Sequence, residues 1–384
     1  PAALLAATFA AHSPSPAAQA LARGEIDRAL TLQAGSPREA SYLQARAALA
    51  RHDHRRAEEL KAALPAGSPE AAEVEWHLAR RAGASARIAR ASAAWCALGD
   101  PTGRACADAE LFARAPAVPE VRLPASGSSL VPLARGVPVP LALGKAGDRS
   151  VGFIVDTGAS ETVISSALAR DLGLELTAAA FPVGVAAGGG RASARLAVLP
   201  ELKLGEAVVR SLPVMVIDLP QLERANIHAI VSPQQAFAGL AVRFDFPANL
   251  LTLAKGAPAV PEGASRVTVP YLLAGFDLAV RARVGDGPEA LFGVDTGMTS
   301  AYSVSGAYPC SELEAAPIAL EGAGGGSVGS PVAARQVLVG GLVLTPAAEA
   351  LRSEMAGGRA VGLAGLLGNG LWLKGVLTLD TARR

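Results

Sequence analysis

The sequence predicts a multidomain α + β protein: α-helical hairpins at the N-terminus, then an all-β part built as two similar β-barrel-like lobes. Three observations carry this. Near residue 115 the texture changes from helix-capping signals to short apolar runs broken by Gly and Pro. One ordered set of motifs occurs twice in the later part. The chain has 384 residues, 51% of them apolar, enough for several cores. A net charge of +1 with no long basic run argues against a nucleic-acid or anionic-membrane surface as the main business.

The first residues carry a small apolar stretch, 2–11, followed by Ala18-Gln19-Ala20. Two readings fit it: a signal-peptide remnant over 1–20, or an alanine-rich first helix. Residues 1–115 otherwise read as helices. Ser36-Pro37-Arg38-Glu39 supplies an N-cap, a proline at the first helical position and a glutamate at the capping-box position; Ser68-Pro69-Glu70 repeats the Ser-Pro start. Arg28-Ala29 with Leu32 answers to Arg56-Ala57 with Leu60, a small-residue seam that resembles tetratricopeptide-type hairpins. That likeness implies a surface for a protein partner; a helical prodomain or packing module is the plainer alternative. His52 and His54 are two apart, share no helix face, and read as a solvated turn rather than a metal site.

Residues 116–135 are rich in Pro, Ala and Ser and read as a linker. Strand-type runs follow at 137–143, 151–155, 207–217, 267–273, 290–294 and 337–344. The domain reading is therefore a helical module over 1–115, a linker over 116–135, a first lobe over 136–260 and a second over 261–384. No run of 18 apolar residues follows the N-terminal stretch, so no membrane span is expected.

Scarce residues narrow the chemistry. Five histidines (His12, His52, His54, His77, His228) and three cysteines (Cys96, Cys106, Cys310) are present, and past position 130 only His228 and Cys310 remain. A His/Cys metal site there is nearly excluded, and a nucleophilic triad would have to use His228, which reads as structural. Ser160 and Ser165 have no His partner at motif spacing. Trp76, Trp95 and Trp372 read as packing residues. Cys96 and Cys106 lie ten apart across a turn, as a small disulfide loop or as two thiols. The disulfide alternative and the apolar start lean towards a periplasmic or secreted protein.

The repeated motif is an apolar strand running into Asp-Thr-Gly. Phe153-Ile154-Val155 leads into Asp156-Thr157-Gly158, and Leu291-Phe292-Gly293-Val294 into Asp295-Thr296-Gly297. One such tripeptide is only a turn signal. The residues downstream of each copy make the pair specific. Gly-rich segments begin 30 and 27 residues after each Asp, with Gly188, Gly189 and Gly190 in the first and Gly324 and Gly325 in the second. Gly205 and Gly340 come at offsets 49 and 45, and Ser232 and Gly368 end apolar runs at offsets 76 and 73. Each copy is expected to close on an apolar strand, 250–253 or 375–379, and Asp245 and Asp380 read as equivalent strand ends. The β part is a duplicated unit of about 120 residues.

On these residues the chain resembles the retropepsin-like aspartic peptidases, in a bacterial-type, single-chain, two-lobed form. The resemblance spans about 130–384 and implies the bilobal acid-protease fold. It implies Asp156 and Asp295 as catalytic groups. Thr157 and Thr296 would lock the two loops together, and the Gly-rich segments would form flaps over substrate. Gly158 and Gly297 let each turn bring backbone N–H groups near the carboxylates. Two carboxylates held close cannot both ionise, so they share a proton; the ionised one activates water and the protonated one polarises the scissile carbonyl, as the aspartic proteases exemplify. No metal or cofactor is needed. The substrate would be a peptide or protein, and one chain supplies both Asp, so a monomer is expected. Three features depart from the family pattern: Met298 where Ala159 stands in the first copy, Ser232 where the scaffold glycine is expected, and no flap tyrosine. They leave a catalytically lapsed, peptide-binding pseudo-peptidase as the alternative, with a helical adaptor as another.

Overall fold

The structure, a computed structural model, describes residues 15–22, 26–100, 102–115, 118–184, 191–260, 265–274, 277–305, 308–309, 318–322, 325–352 and 363–382. Among the described residues seven helices come first: α1 Pro16–Ala22, α2 Ile26–Thr31, α3 Pro37–Ala50, α4 His54–Ala62, α5 Pro69–Ala82, α6 Ser85–Ala97 and α7 Arg104–Arg114. Both Ser-Pro starts work as capping chemistry requires. Ser36 Oγ accepts from Glu39 N at 3.1 Å, and Ser68 Oγ from Ala71 N at 3.2 Å. The reciprocal half of the capping box is redirected, because the Glu39 carboxylate takes Gly35 N and the Ser15 hydroxyl instead. Cys96 on α6 and Cys106 on α7 form a disulfide. Among the described residues no helix is long and apolar enough to cross a membrane.

The first lobe holds β1 Glu120–Arg122, β2 Ser128–Pro132, β3 Leu141–Ala146, β4 Arg149–Val155, β5 Val163–Ser165, β6 Phe181–Gly184, β7 Arg191–Leu204, β8 Ala207–Ile217, β9 Ile227–Val231, β10 Ala241–Asp245 and β11 Leu250–Ala254. Its main sheet runs β1-β8-β5-β9-β4-β3-β7-β6, and a further β7–β8 pairing closes it on itself. The second lobe holds β12 Leu272–Ala274, β13 Asp277–Val284, β14 Ala290–Asp295, β15 Tyr302–Val304, β16 Ile318–Gly322, β17 Gly325–Val332, β18 Val337–Val339, β19 Leu342–Leu344, β20 Ala350–Arg352, β21 Gly365–Gly368 and β22 Val376–Asp380. Each lobe has its own apolar core, around Phe153, Phe237 and Phe244 in the first and Phe292 and Tyr302 in the second. The fold class matches the sequence reading.

The duplication shows in the pairing. In the first lobe β9 lies between β4 (parallel) and β5 (antiparallel), with β5 parallel to β8. In the second β21 lies between β14 (parallel) and β15 (antiparallel), with β15 parallel to β20. The lobes meet in a four-stranded sheet ordered β2-β11-β10-β22. Here β10 pairs with β22 antiparallel, Ala241 opposite Asp380 and Asp245 opposite Val376. These strands sit at matching places in the two copies, so the pair straddles the molecule's pseudo-two-fold axis. This corrects one expectation: the equivalent of 376–380 is 241–245, and β11 is an extra strand between β2 and β10.

Other expectations shift too. The 116–135 segment is not a simple linker, because β1 joins the first lobe's sheet at β8 and β2 joins the inter-lobe sheet at β11. Proline and serine do not prevent pairing at a sheet edge, where one row of backbone groups needs no partner. Residues 267–271 form no strand. Pro270 has no N–H to give, and the side chains of Val267 and Val269 lie where a Cβ on Gly340 would be. The single run expected at 337–344 is a hairpin, β18 and β19, turning at Gly340 and Gly341 with φ of 54° and 90°. His52 is half-buried with its ring edge-on to Tyr271 at 5.0 Å rather than in a solvated turn.

Candidate active site

Both Asp-Thr-Gly turns follow directly from buried strands, β4 and β14, whose parallel partners fix their direction. Val155 sits opposite Val231, and Asp295 opposite Gly368. Each turn closes in the same way, Ala159 N donating to Asp156 O and Met298 N to Asp295 O, both at 3.3 Å. The two turns meet at the lobe interface, 139 residues apart in sequence, through four reciprocal hydrogen bonds. Thr157 N donates to Thr296 Oγ1 (3.0 Å) and Thr296 N to Thr157 Oγ1 (3.1 Å). The hydroxyls donate onward, Thr157 to Val294 O (2.7 Å) and Thr296 to Val155 O (3.0 Å). Every group in this square is buried, so none has water as an alternative partner.

The carboxylates sit on top of this square. Asp156 Oδ1 accepts from Gly158 N at 2.8 Å and from Gly297 N, across the interface, at 3.0 Å. A Cβ at Gly158 would overlap the Asp295 carboxyl group, and a Cβ at Gly297 would stand 2.6 Å from Asp156 Oδ2. Each glycine therefore makes room for the other lobe's carboxylate. Asp295 is buried and Asp156 half-buried. The two acids, the two threonines and the two glycines expected to act together are thus one constellation. The arrangement brings one carboxylate from each lobe to the seam between them.

Of the expected flap residues, Gly188, Gly189, Gly190 and Gly324 lie outside the described residues. Gly325 opens β17 opposite Gly322, in the β16–β17 hairpin. In the first lobe the corresponding hairpin pairs β6 with β7, the last described pair being Gly184 with Arg191.

The departures have local explanations. Met298 packs with Leu291, Leu363 and Leu366 on the second lobe. Gly368 N donates to Ala301 O at 2.8 Å, and a Cβ there would overlap Ser300 O and Met298. At the matching place in the first lobe, Ser232 N donates instead to the Thr162 hydroxyl at 3.2 Å. That side chain spaces the two segments, and Ser232 is fully buried there.

Several residues of the site carry no sequence signal. Gln234, on the short helix Pro233–Ala236, donates its amide to Thr157 O (3.2 Å) and Ala159 O (2.7 Å), pinning the first turn from behind. Gln235 accepts from Thr162 N at 2.7 Å. Asn369 reaches from the second lobe to Pro138 O in the first. Glu161, five residues after Asp156, is buried and paired with two arginines of the helical module. Ser165 does have a histidine partner, His228 Nδ1 at 3.0 Å, contrary to the spacing argument. It is fully buried and caps the helix Ser166–Asp171 through Leu168 N, so the pair is structural.

Residues 141–231 match the family model of aspartyl proteases, a span from the start of β3 to the end of β9 that includes the first Asp-Thr-Gly turn. Among solved structures the chain is similar to that of a retropepsin-like aspartic protease from Rickettsia conorii, at 22% identity, over 35% of this chain and 92% of that one, with a TM-score of 0.24. No curated protein matches the chain.

Proposed function

We propose that this chain is an aspartic endopeptidase that hydrolyses peptide bonds with water held between Asp156 and Asp295. The observation that carries the reading is the reciprocal lock of the two Asp-Thr-Gly turns, which sets each glycine against the opposite carboxylate. The aspartic-peptidase device uses one ionised and one protonated carboxyl group. The ionised member takes a proton from water as its oxygen attacks the scissile carbonyl carbon. The protonated member donates to the carbonyl oxygen. Collapse of the tetrahedral intermediate breaks the C–N bond, and a proton passes to the leaving nitrogen. An extended peptide would lie between the lobes, pairing backbone to backbone with the β6–β7 and β16–β17 hairpins.

The Cys96–Cys106 disulfide supports an oxidising compartment, periplasmic or secreted. We propose the helical hairpins of 1–115 as tetratricopeptide-like and the protein as a monomer.

Cleavage of a peptide library between pH 4 and 7, by the wild type and by Asp156→Asn and Asp295→Asn, tests the reading. Cleavage by the wild type, reduced about a hundredfold or more in each variant, is the expected result. A folded wild type that binds peptides but cuts none overturns it in favour of a peptide-binding pseudo-peptidase.

A further inference from the structure

The helical module grips the active half at one chemically specific place. Arg80 on α5 pairs with Asp108 and with Glu161; Arg104 on α7 pairs with the same two acids, at 3.1 Å to Asp108 Oδ1 and 2.8 Å to Glu161 Oε1. Asp108 is fully buried and also accepts from Trp76 Nε1 at 3.0 Å. The guanidinium of Arg80 lies over the Trp76 ring, and that of Arg104 over Phe181 at the start of β6. Two cations and two anions thus close a buried, balanced cluster between the helices and the first lobe. Burial pushes the Asp108 carboxyl up, but the charges of Arg104 and Arg80 outweigh it and hold it below its usual range.

Glu161 is five residues from Asp156, in the chain leaving the first Asp-Thr-Gly turn. The duplicated position five residues after Asp295 is Ser300. The acid is therefore particular to the lobe that faces the helices. The same helix, α7, also holds the approach to β6: the Glu110 carboxylate accepts from Ala178 N (2.8 Å) and Ala179 N (3.1 Å), and Arg114 pairs with Glu175. Beneath these contacts one apolar cluster runs through both parts, with Trp76, Trp95 and Leu111 from the helices against Phe181, Leu196 and Ile217 from the lobe.

We propose that Glu161 is a positioning residue through which Arg80 and Arg104 of the helical module hold the first catalytic turn. On this account the module is a fixed part of the active half rather than a removable prosegment. The proposal rests on the peptidase reading for its effect on turnover, and on geometry alone for its effect on the turn. A buried ion cluster with shared partners has few alternative arrangements, so losing one charge frees the segment that carried it. Small misplacements of a reacting group lower turnover more than they weaken substrate binding.

The test uses the full chain. In Glu161→Gln, amide hydrogen exchange over 156–165 is expected to speed up about tenfold or more, with exchange over 337–344 unchanged. With a peptide that the wild type cuts, kcat is expected to fall about tenfold or more and KM to stay within twofold. Arg104→Gln should do the same, and the double variant should be no worse than the worse single one. A folded Glu161→Gln protein with wild-type exchange over 156–165 and kcat within twofold overturns the proposal. Should Glu161→Gln not fold, a protease site inserted between α7 and β1 decides. Pieces that co-elute after cutting, without a gain in activity, support a fixed module; release of the helical piece with a rise in activity overturns it. A wild type that cuts no peptide sinks the peptidase reading, while the exchange result still decides the clamp.

Discussion

Gly158 and Asp295, from opposite lobes, are in such close contact that a Cβ on the glycine would stand 2.6 Å from Asp295 Oδ1. Real Cβ atoms do not approach oxygen so closely, so Gly158→Ala must push the lobes or the carboxylate apart. The expected outcome is a loss of cleavage of about a hundredfold or more, with a stability cost of about 1–3 kcal/mol from overpacking. Gly297→Ala, against Asp156, should behave alike. Peptide turnover and thermal unfolding check both.

Thr157 serves two partners through one hydroxyl, accepting from Thr296 N and donating to Val294 O. Thr157→Val keeps the shape and strands both backbone groups in a buried site. A loss of about 2–4 kcal/mol is expected, whereas Thr157→Ser should stay near the wild type. Because Thr157 and Thr296 form one square, the double valine variant should cost less than the two singles together. Denaturant unfolding measures all four.

The paired positions 232 and 368 should respond in opposite ways. Ser232→Gly removes a side chain that its site accommodates, and turnover is expected to stay within about threefold of the wild type. Gly368→Ser drives a Cβ into Ser300 O and Met298 and is expected to abolish activity. Cleavage rates of the two variants at matched protein concentration decide this.

Acid should loosen the helical module before it affects the lobes. Burial pushes the His77 imidazole down to about 4, against the Glu73 hydrogen bond that raises it. Burial pushes the Glu73 carboxyl up, but the charge of Arg46 and bonds from His77 and Tyr42 hold it down at about 2. An unfolded histidine titrates near 6.5. Between there and about 4 the unfolded chain therefore binds the extra proton. Stability is full above that window and falls as pH drops through it, by on the order of 3 kcal/mol. Glu73 adds a further loss between about 4.5 and 2. Thermal melts from pH 7 to 4 should show a falling midpoint, and His77→Phe should flatten that slope. Peptide assays near pH 4 lie at the foot of this window, so rates at pH 5–7 matter for comparison.

Much of the site was legible from residues alone. Asp156, Asp295 and their Thr-Gly neighbours lie in a short motif, and motif order at near-equal spacing exposes duplication without any fold. Ser36 and Ser68 were legible as helix starts because capping is chemistry within three residues. The 116–135 segment was misread because composition reports flexibility, while edge pairing depends on which sheet lies nearby. The strand pairing of β10 with β22 was hidden for the same reason, since it arises from the pseudo-two-fold axis and not from either strand's pattern.

By itself, then, the sequence determined the duplicated unit, the two acids with their loop residues, and the helical character of the N-terminal part. These rest on local signals: turn chemistry, caps, and repetition along the chain. Only the tertiary structure decided that each glycine faces the other lobe's carboxylate, that Gln234 pins the first turn, and that Glu161 is gripped by Arg80 and Arg104, 81 and 57 residues away. Charged side chains carry no mark of a distant partner. A single buried acid reads like any surface glutamate until folding removes its water and leaves two guanidinium groups in its place.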